Sequence, residues 1–363
     1  MVTLLLPGCQ ARLPVSTVPL FKIGLVAPFE GRFRARGYEV LYGVRLAVRQ
    51  WNATAGQGYR IELVALDDGA DPAAAVGQVR ELAIDPDVLG VIGHFDEGAT
   101  LAAAAEYAAQ RLALIAPGVG GEGLTAAGWV LRLGASNRLL GREAARYAVD
   151  ELGAARLAVL RGQADLADAF VAAARSLGAE ITLDTAIDAS ADTWVDRLCQ
   201  AQPDLIFFSG DVLQGSQALL LVRQAGVDAP FLGGPALGDR ALVQMGGSAT
   251  EGVVFLAAAP GGADLPAAQA FVSAYREMAG HLPGPQATLA YEAAHLLLRA
   301  IADAARASGS RPSREAVWQQ LSSGWQHEEL LGALAWDASG EPLDWPVVIY
   351  QIEAGVYPGR RLR

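Results

Sequence analysis

Short apolar runs alternate with helical stretches along nearly the whole chain, and that rhythm leaves few folds open. Phe21–Ala27 reads as a buried strand that Pro28 ends. The loop Phe29–Gly37 follows, with glycines and three arginines. A helix is expected from Tyr38, its apolar stripe formed by Val40, Leu41, Val44, Ala47, Val48 and Trp51, with Glu39, Arg45, Arg49 and Gln50 pointing away. Strands are expected next at Arg60–Leu66, Val88–Ile92 and Leu112–Ala116, separated by helices Ala73–Ile84 and Leu101–Gln110. Asp71 is placed as an N-cap, with Pro72 at the first helical position. This alternation means a doubly wound parallel sheet. After a strand at Val130–Leu133 the rhythm restarts. Helices are expected at Leu140–Glu151, Leu166–Leu177, Thr193–Ala201 and Gln214–Ala225, interleaved with strands at Arg156–Leu160, Ile181–Thr185, Asp204–Ser209 and Phe231. A restart of this kind is the sign of a second lobe of similar build. Strand Gly252–Ala257, three helices between Pro266 and Leu321, and two strands, Ala333–Trp336 and Pro346–Glu353, complete the reading.

The length of 363 residues agrees with about two domains. Hydrophobic content of 52% against 18% charged residues supplies sizeable cores. A net charge of −11 argues against nucleic acid or an anionic membrane surface as the main partner. Lys22 is the only lysine, so a cluster of arginines signifies little by itself. The two cysteines, Cys9 and Cys199, offer no disulfide framework. Cys199 is expected as a core or half-buried thiol on its helix. Cys9 closes Leu4-Leu5-Leu6-Pro7-Gly8-Cys9, which resembles the end of a bacterial lipoprotein signal. A basic n-region is missing and the apolar part is short; a start codon placed too far downstream is one explanation, and an incidental cysteine in an ordinary N-terminus is the other reading. The expectation is a lipid on Cys9, residues 1–19 as signal remnant and tether, and an extracytoplasmic, lipid-anchored protein. No run of ~18 or more apolar residues is present to span a membrane.

Several blocks then point one way: Ile23-Gly24-Leu25-Val26-Ala27-Pro28 with Gly31 and Gly37, Asp67-Asp68-Gly69-Ala70-Asp71-Pro72, Val91-Ile92-Gly93-His94, Ile115-Ala116-Pro117, Gly233-Gly234-Pro235 and Trp336-Asp337 with Gly340. With the order of elements, they resemble the type I periplasmic binding proteins, specifically the branched-chain amino acid (Leu/Ile/Val) group of ABC importers. The resemblance covers about residues 20–355. It implies an α/β fold of two Rossmann-like, doubly wound lobes, a Venus flytrap. Three hinge crossings are expected near Leu133–Gly134, Val254–Leu256 and Asp344–Pro346. Lobe 1 would be 20–133 plus 256–344, and lobe 2 134–255 plus 345–363. It further implies a solute-binding component of an ABC importer, not an enzyme, with permease subunits as partners and a solute held between the lobes. A ligand-sensing module of the same fold, signalling to a separate partner, is the alternative.

The resemblance also implies site positions. In the family, the loop after the third strand supplies a serine and the loop after the fourth a small residue and a threonine; here these are Glu97, Gly118 and Gly120. The first-loop tyrosine corresponds to Arg36, and the tyrosine loop of lobe 2 falls at Gly162–Asp165. The next cleft position is Asp211, and the acid that meets the solute's ammonium falls near Pro235. Arg36, Asp96, Glu97 and Asp211 are therefore charged where a solute would sit. They suit a polar solute, zwitterionic or with a cationic group near Glu97 and Asp211, and leucine, isoleucine and valine are not expected as tight ligands. The plainer reading is that Arg36 and Glu97 pair with each other or lie at a solvated rim.

Gly118–Gly123 fits G-x-G-x-x-G, but no helix opens immediately and no acid ends a following strand ~20 residues on, so no cofactor is expected. His94, His281, His295 and His327 lack metal spacing, and His94 reads as structural. No nucleophile–base set stands out, and no G-x-S-x-G elbow is present.

Overall fold

The computed structural model describes residues 18–54, 58–187, 191–323 and 327–363. In the first half, β1 (Leu20–Ala27) leads through a 3₁₀ turn at Gly31–Phe33 into α1 (Arg34–Ala53). Then come β2 (Arg60–Asp67), α2 (Pro72–Ile84), β3 (Val88–Gly93), α3 (Glu97–Ala109), β4 (Ala113–Pro117) and β5 (Val130–Leu133). The strands form an all-parallel sheet in the order β2-β1-β3-β4-β5. Alternate residues of each strand feed opposite faces. Ile23, Leu25, Leu89, Ile92 and Ile115 join one core cluster, while Val26, Val88, Val91 and Leu114 join another with α2 and α3. Strands buried on both faces are what continuous apolar runs require.

The second half repeats the pattern. It runs α4 (Asn137–Arg146), β6 (Arg156–Arg161), α5 (Ala164–Ser176), β7 (Glu180–Ala186), α6 (Ala191–Ala201), β8 (Leu205–Phe208), α7 (Val212–Gln224), β9 (Phe231–Gly233), α8 (Arg240–Gly246) and β10 (Val254–Ala257). The chain then returns to the first sheet with α9 (Gln269–Ala279), α10 (Pro285–Ser308) and α11 (Arg314–Ser322). A small pair, β11 (His327–Glu329) and β12 (Gly332–Leu334), precedes β13 (Val348–Glu353) and β14 (Val356–Arg361). The second sheet has the order β14-β13-β10-β9-β8-β6-β7, with β13 and β14 antiparallel. The molecule is thus α/β with two parallel-rich sheets in two lobes. Asp71 caps α2 by accepting from the Ala74 amide, with Pro72 opening the helix.

Several expectations are corrected. α1 begins at Arg34, so Arg36 and Gly37 stand in its first turn and not in a loop. The close seat requires Gly37: a Cβ there would lie 2.1 Å from the Pro28 carbonyl oxygen. Glu39 does not point away but is 4% exposed, because α1 is covered on a second flank by the start of α10 and by Tyr357. Helix α3 opens at Glu97, since Asp96 caps it through the Ala99 amide. Cys199 is exposed; Trp194 and Leu198 carry the buried stripe of α6 and Cys199 lies one residue beyond it. Leu256 and Ala257 pair with Ile349 and Val348, which keeps them in the second sheet. The expected strand Ala333–Trp336 is β12, which ends at Leu334 and pairs with β11, and the chain does not end at β13 but adds the edge strand β14. Cys9 and the expected tether up to residue 17 lie outside the described residues.

Candidate functional site

Both sheets aim the turns at the carboxyl ends of their strands into one cavity, the position that open parallel sheets reserve for ligands. From the first sheet come Phe33 and Arg36 after β1, Phe95–Glu97 after β3, and Gly118–Gly120 after β4. From the second come Gln163 after β6, Asp211 after β8, and Pro235, Ala236, Gly238 and Asp239 after β9. Asn137 at the start of α4 and Gln286 in the first turn of α10 complete the lining. The cavity volume is about 70 Å³.

Arg36 crosses the cavity. Its Nε donates to Asp239 Oδ2 at 3.1 Å, Nη2 lies 3.0 Å from the same oxygen as an ion pair, and Nη1 donates to the Phe95 carbonyl at 3.0 Å. The guanidinium also lies 5.3 Å from the centre of the Phe33 ring. Asp239 is held on its other oxygen by the Ala241 amide, as the N-cap of α8. The pair is buried on both sides, Arg36 at 9% and Asp239 at 6% exposure. Arg36 therefore pairs with Asp239 and not with Glu97.

Glu97 accepts from Asn137 Nδ2 at 2.9 Å, and the same nitrogen donates to Asp165 Oδ1 at 2.9 Å. Asn137 thus ties a carboxylate of the first sheet to one of the second. Burial pushes the Glu97 carboxyl up to about 7; Asp165 and Asp96 add to the rise, against the Asn137 hydrogen bond and Arg132. Asp96 and Asp211 are helix caps: Asp96 Oδ1 takes the Ala99 amide, and Asp211 Oδ1 takes those of Leu213 and Gln214 in a capping box. Asp165 does not line the cavity and reaches it only through Asn137.

The glycine turn after β4 is clamped from below by Arg132, which is 2% exposed. Its Nη1 and Nη2 donate to the carbonyls of Val119 and Gly121, while Nε meets Glu341 at 2.8 Å. The turn leaves no room for side chains. A Cβ at Gly120 would fall 2.1 Å from Asn137 Oδ1, and one at Gly118, where φ is +70°, would meet the Gln286 amide. Gln286 Oε1 is buried without a hydrogen-bond partner among the described residues.

Seven of the eight expected site positions, Arg36, Asp96, Glu97, Gly118, Gly120, Asp211 and Pro235, come together in this cavity. Sequence reasoning missed Asn137, Gln163, Asp239 and Gln286. Asp239 had one readable signal, an aspartate ahead of Arg240-Ala241-Leu242-Val243, which is an N-cap pattern. His94 stands apart, fully buried, with Nδ1 2.8 Å from Asp68 and Nε2 3.0 Å from the Tyr107 hydroxyl, which makes it a structural link between the turn after β2 and α3. Among the described residues no group of three or more His, Cys, Asp or Glu could hold a metal, and no helix is long and apolar enough to cross a membrane.

Comparison with known proteins agrees with this architecture. A family model described as periplasmic binding protein matches residues 21–356. The chain is similar to Leu/Ile/Val-binding protein homolog 1 of Brucella abortus, 27% identical over 346 residues, covering 92% of this chain and 90% of that protein. Among solved structures it is similar to the branched-chain amino acid transporter substrate binding protein LivJ of Streptococcus pneumoniae in complex with isoleucine, with a TM-score of 0.83, 24% identity, and coverage of 94% and 98%. It is also similar to an ABC transporter solute binding protein of Rhodopseudomonas palustris in complex with 3,4-dihydroxybenzoic acid, with a TM-score of 0.78, 21% identity, and coverage of 94% and 95%.

Proposed function

The chain belongs to the periplasmic binding protein family and is a non-enzymatic substrate-binding protein of the ABC-transporter type; from that premise we propose that it captures an amino acid or related small polar solute between its lobes. The observation that carries this reading is the Arg36–Asp239 pair, in which side chains of the two sheets meet inside one cavity. A solute seated there touches both lobes only when they are closed, so it shifts the population toward closure, the hinge motion for which periplasmic binding proteins are known. The lobes turn about three crossings, after β5, after β10 and before β13. The closed form is handed to ABC permease subunits.

The test is direct. Solute released from the purified protein is identified by mass spectrometry and returned to stripped protein. One-to-one binding by calorimetry, a higher melting temperature by mass action, and a smaller radius of gyration in X-ray scattering are expected. An unchanged radius at saturation refutes the closing mechanism. Anchoring is proposed through a lipid on Cys9, on the strength of the Leu4–Cys9 pattern. Cys9→Ser, expressed from the complete gene, is then expected to move the protein out of the membrane fraction; equal partitioning of both forms refutes the anchor.

A further inference from the structure

The polar groups around the cavity are unequally used. Arg36 turns all three side-chain nitrogens toward protein acceptors, Nε and Nη2 toward Asp239 and Nη1 toward the Phe95 carbonyl, so its charge is paired although each Nη keeps a second N–H. Asn137 divides its amide nitrogen between Glu97 and Asp165. Three acceptors keep capacity as well, and no cation pairs with them. Asp211 takes both of its capping amides on Oδ1, which leaves Oδ2 over among the described residues. Glu97 receives one hydrogen bond among the described residues, on Oε2. Gln286 Oε1 is shut away from solvent with no donor among the described residues. All three belong to side chains that line the same cavity, Glu97 and Gln286 from the first lobe and Asp211 from the second.

Charge adds to the same conclusion. Among the described residues Arg36 is the one cationic side chain that lines the cavity, and a carboxylate from the opposite lobe already neutralises it. An incoming carboxylate would find no free counter-charge and would lie among Asp96, Glu97, Asp211 and Asp239. A positively charged nitrogen would gain charge-assisted hydrogen bonds from the same set.

We propose that the solute is a small organic cation, whose ammonium or guanidinium group donates to Glu97, Gln286 and the second oxygen of Asp211. This rests on the binding-protein reading above and narrows it. It sets the protein apart from similar proteins seen with isoleucine or a hydroxybenzoic acid. Asp239 is then a specificity residue: it cancels Arg36 and so rejects anions.

The experiment compares ethanolamine, ethylenediamine and agmatine with acetate, benzoate and leucine, at equal ionic strength and pH 8, by calorimetry and melting temperature on the intact protein. At least one cation is expected to bind ten times more tightly than every carboxylate. Glu97→Gln and Gln286→Leu are each expected to weaken that cation about tenfold. Asp239→Asn keeps the cap, since asparagine caps helices as well as aspartate, but frees the charge of Arg36. It is expected to admit benzoate or leucine where the wild type does not. Tight binding of leucine or benzoate by the wild type, with no response to the cations, overturns this inference and leaves the binding-protein reading standing. A protein that binds no member of either set, and from which no solute is released, overturns both.

Discussion

Glu39 offers the sharpest test of the interior electrostatics. It sits on α1 beside the cavity, 4% exposed, with the Ala287 amide 3.4 Å from Oε1. Burial pushes its carboxyl up to about 7 from an ordinary 4.5, and the negative charge of Asp239 adds to the rise. The sign follows from linkage. Below pH 4.5 the folded and unfolded chains both hold the proton, so the group costs nothing. Between 4.5 and 7 the unfolded chain releases its proton first, and stability falls as pH rises. Above 7 the loss is complete. At ~1.4 kcal/mol per pH unit, a shift of about 2.5 units corresponds to about 3 kcal/mol. Glu39→Gln removes the charge and keeps an acceptor for the Ala287 amide. The variant is expected to match the wild type near pH 4 and to exceed it by up to about 3 kcal/mol at pH 8, read from urea unfolding at each pH. Glu97 titrates over the same window, so the variant keeps a residual slope that Glu39→Gln/Glu97→Gln removes. Parallel stability curves for wild type and Glu39→Gln across pH 4–8 would refute the reasoning.

Three other outcomes follow from the site. Arg36→Ala leaves Asp239 without its cation in the closed cleft, so closing on the solute costs more; the expected result is a smaller solute-induced fall in the radius of gyration, and Arg36→Ala/Asp239→Ala should restore the full fall. Gly120→Ala forces a Cβ into Asn137 Oδ1 and is expected to weaken solute binding tenfold or more in calorimetry, with the far-ultraviolet circular dichroism unchanged. Arg132→Met strips the glycine turn of its clamp and leaves the Val119 and Gly121 carbonyls without their donor, while Glu341, a third exposed, keeps the Thr125 hydroxyl; the expected cost is about 2–4 kcal/mol measured by urea unfolding, and a cost under ~1 kcal/mol would show that the clamp is dispensable.

What could be read from the chain, and what could not, divides along physical lines. Strands buried on both faces must be continuous apolar runs, so β1, β3 and β4 were visible as such. The capped start of α2 was visible because Asp71 and Pro72 act locally. Glu39 was misread because periodicity assigns a helix one buried stripe, whereas α1 is covered on two flanks. β14 was missed because Pro358 and Gly359 weaken a strand pattern; Pro358 is tolerated because β14 is the edge of its sheet. Asp239 was missed for a different reason. Its partner Arg36 is 203 residues away, and nothing local to either residue names the other.

That distant pair also decides how the cleft reads charge. In the open form both side chains are solvated, and an exposed ion pair is worth ~0–1 kcal/mol. In the closed form they are buried, where desolvation offsets most of the Coulomb gain. The Arg36–Asp239 pair therefore does little to hold the lobes together, and closure must draw on the solute. What the pair does change is the sign of the cavity. With Arg36 cancelled, the charge left to a solute is that of Asp96, Glu97 and Asp211. A protein with this backbone and a free arginine at position 36 would select anions; the carboxylate that α8 places opposite it reverses that choice without altering the scaffold.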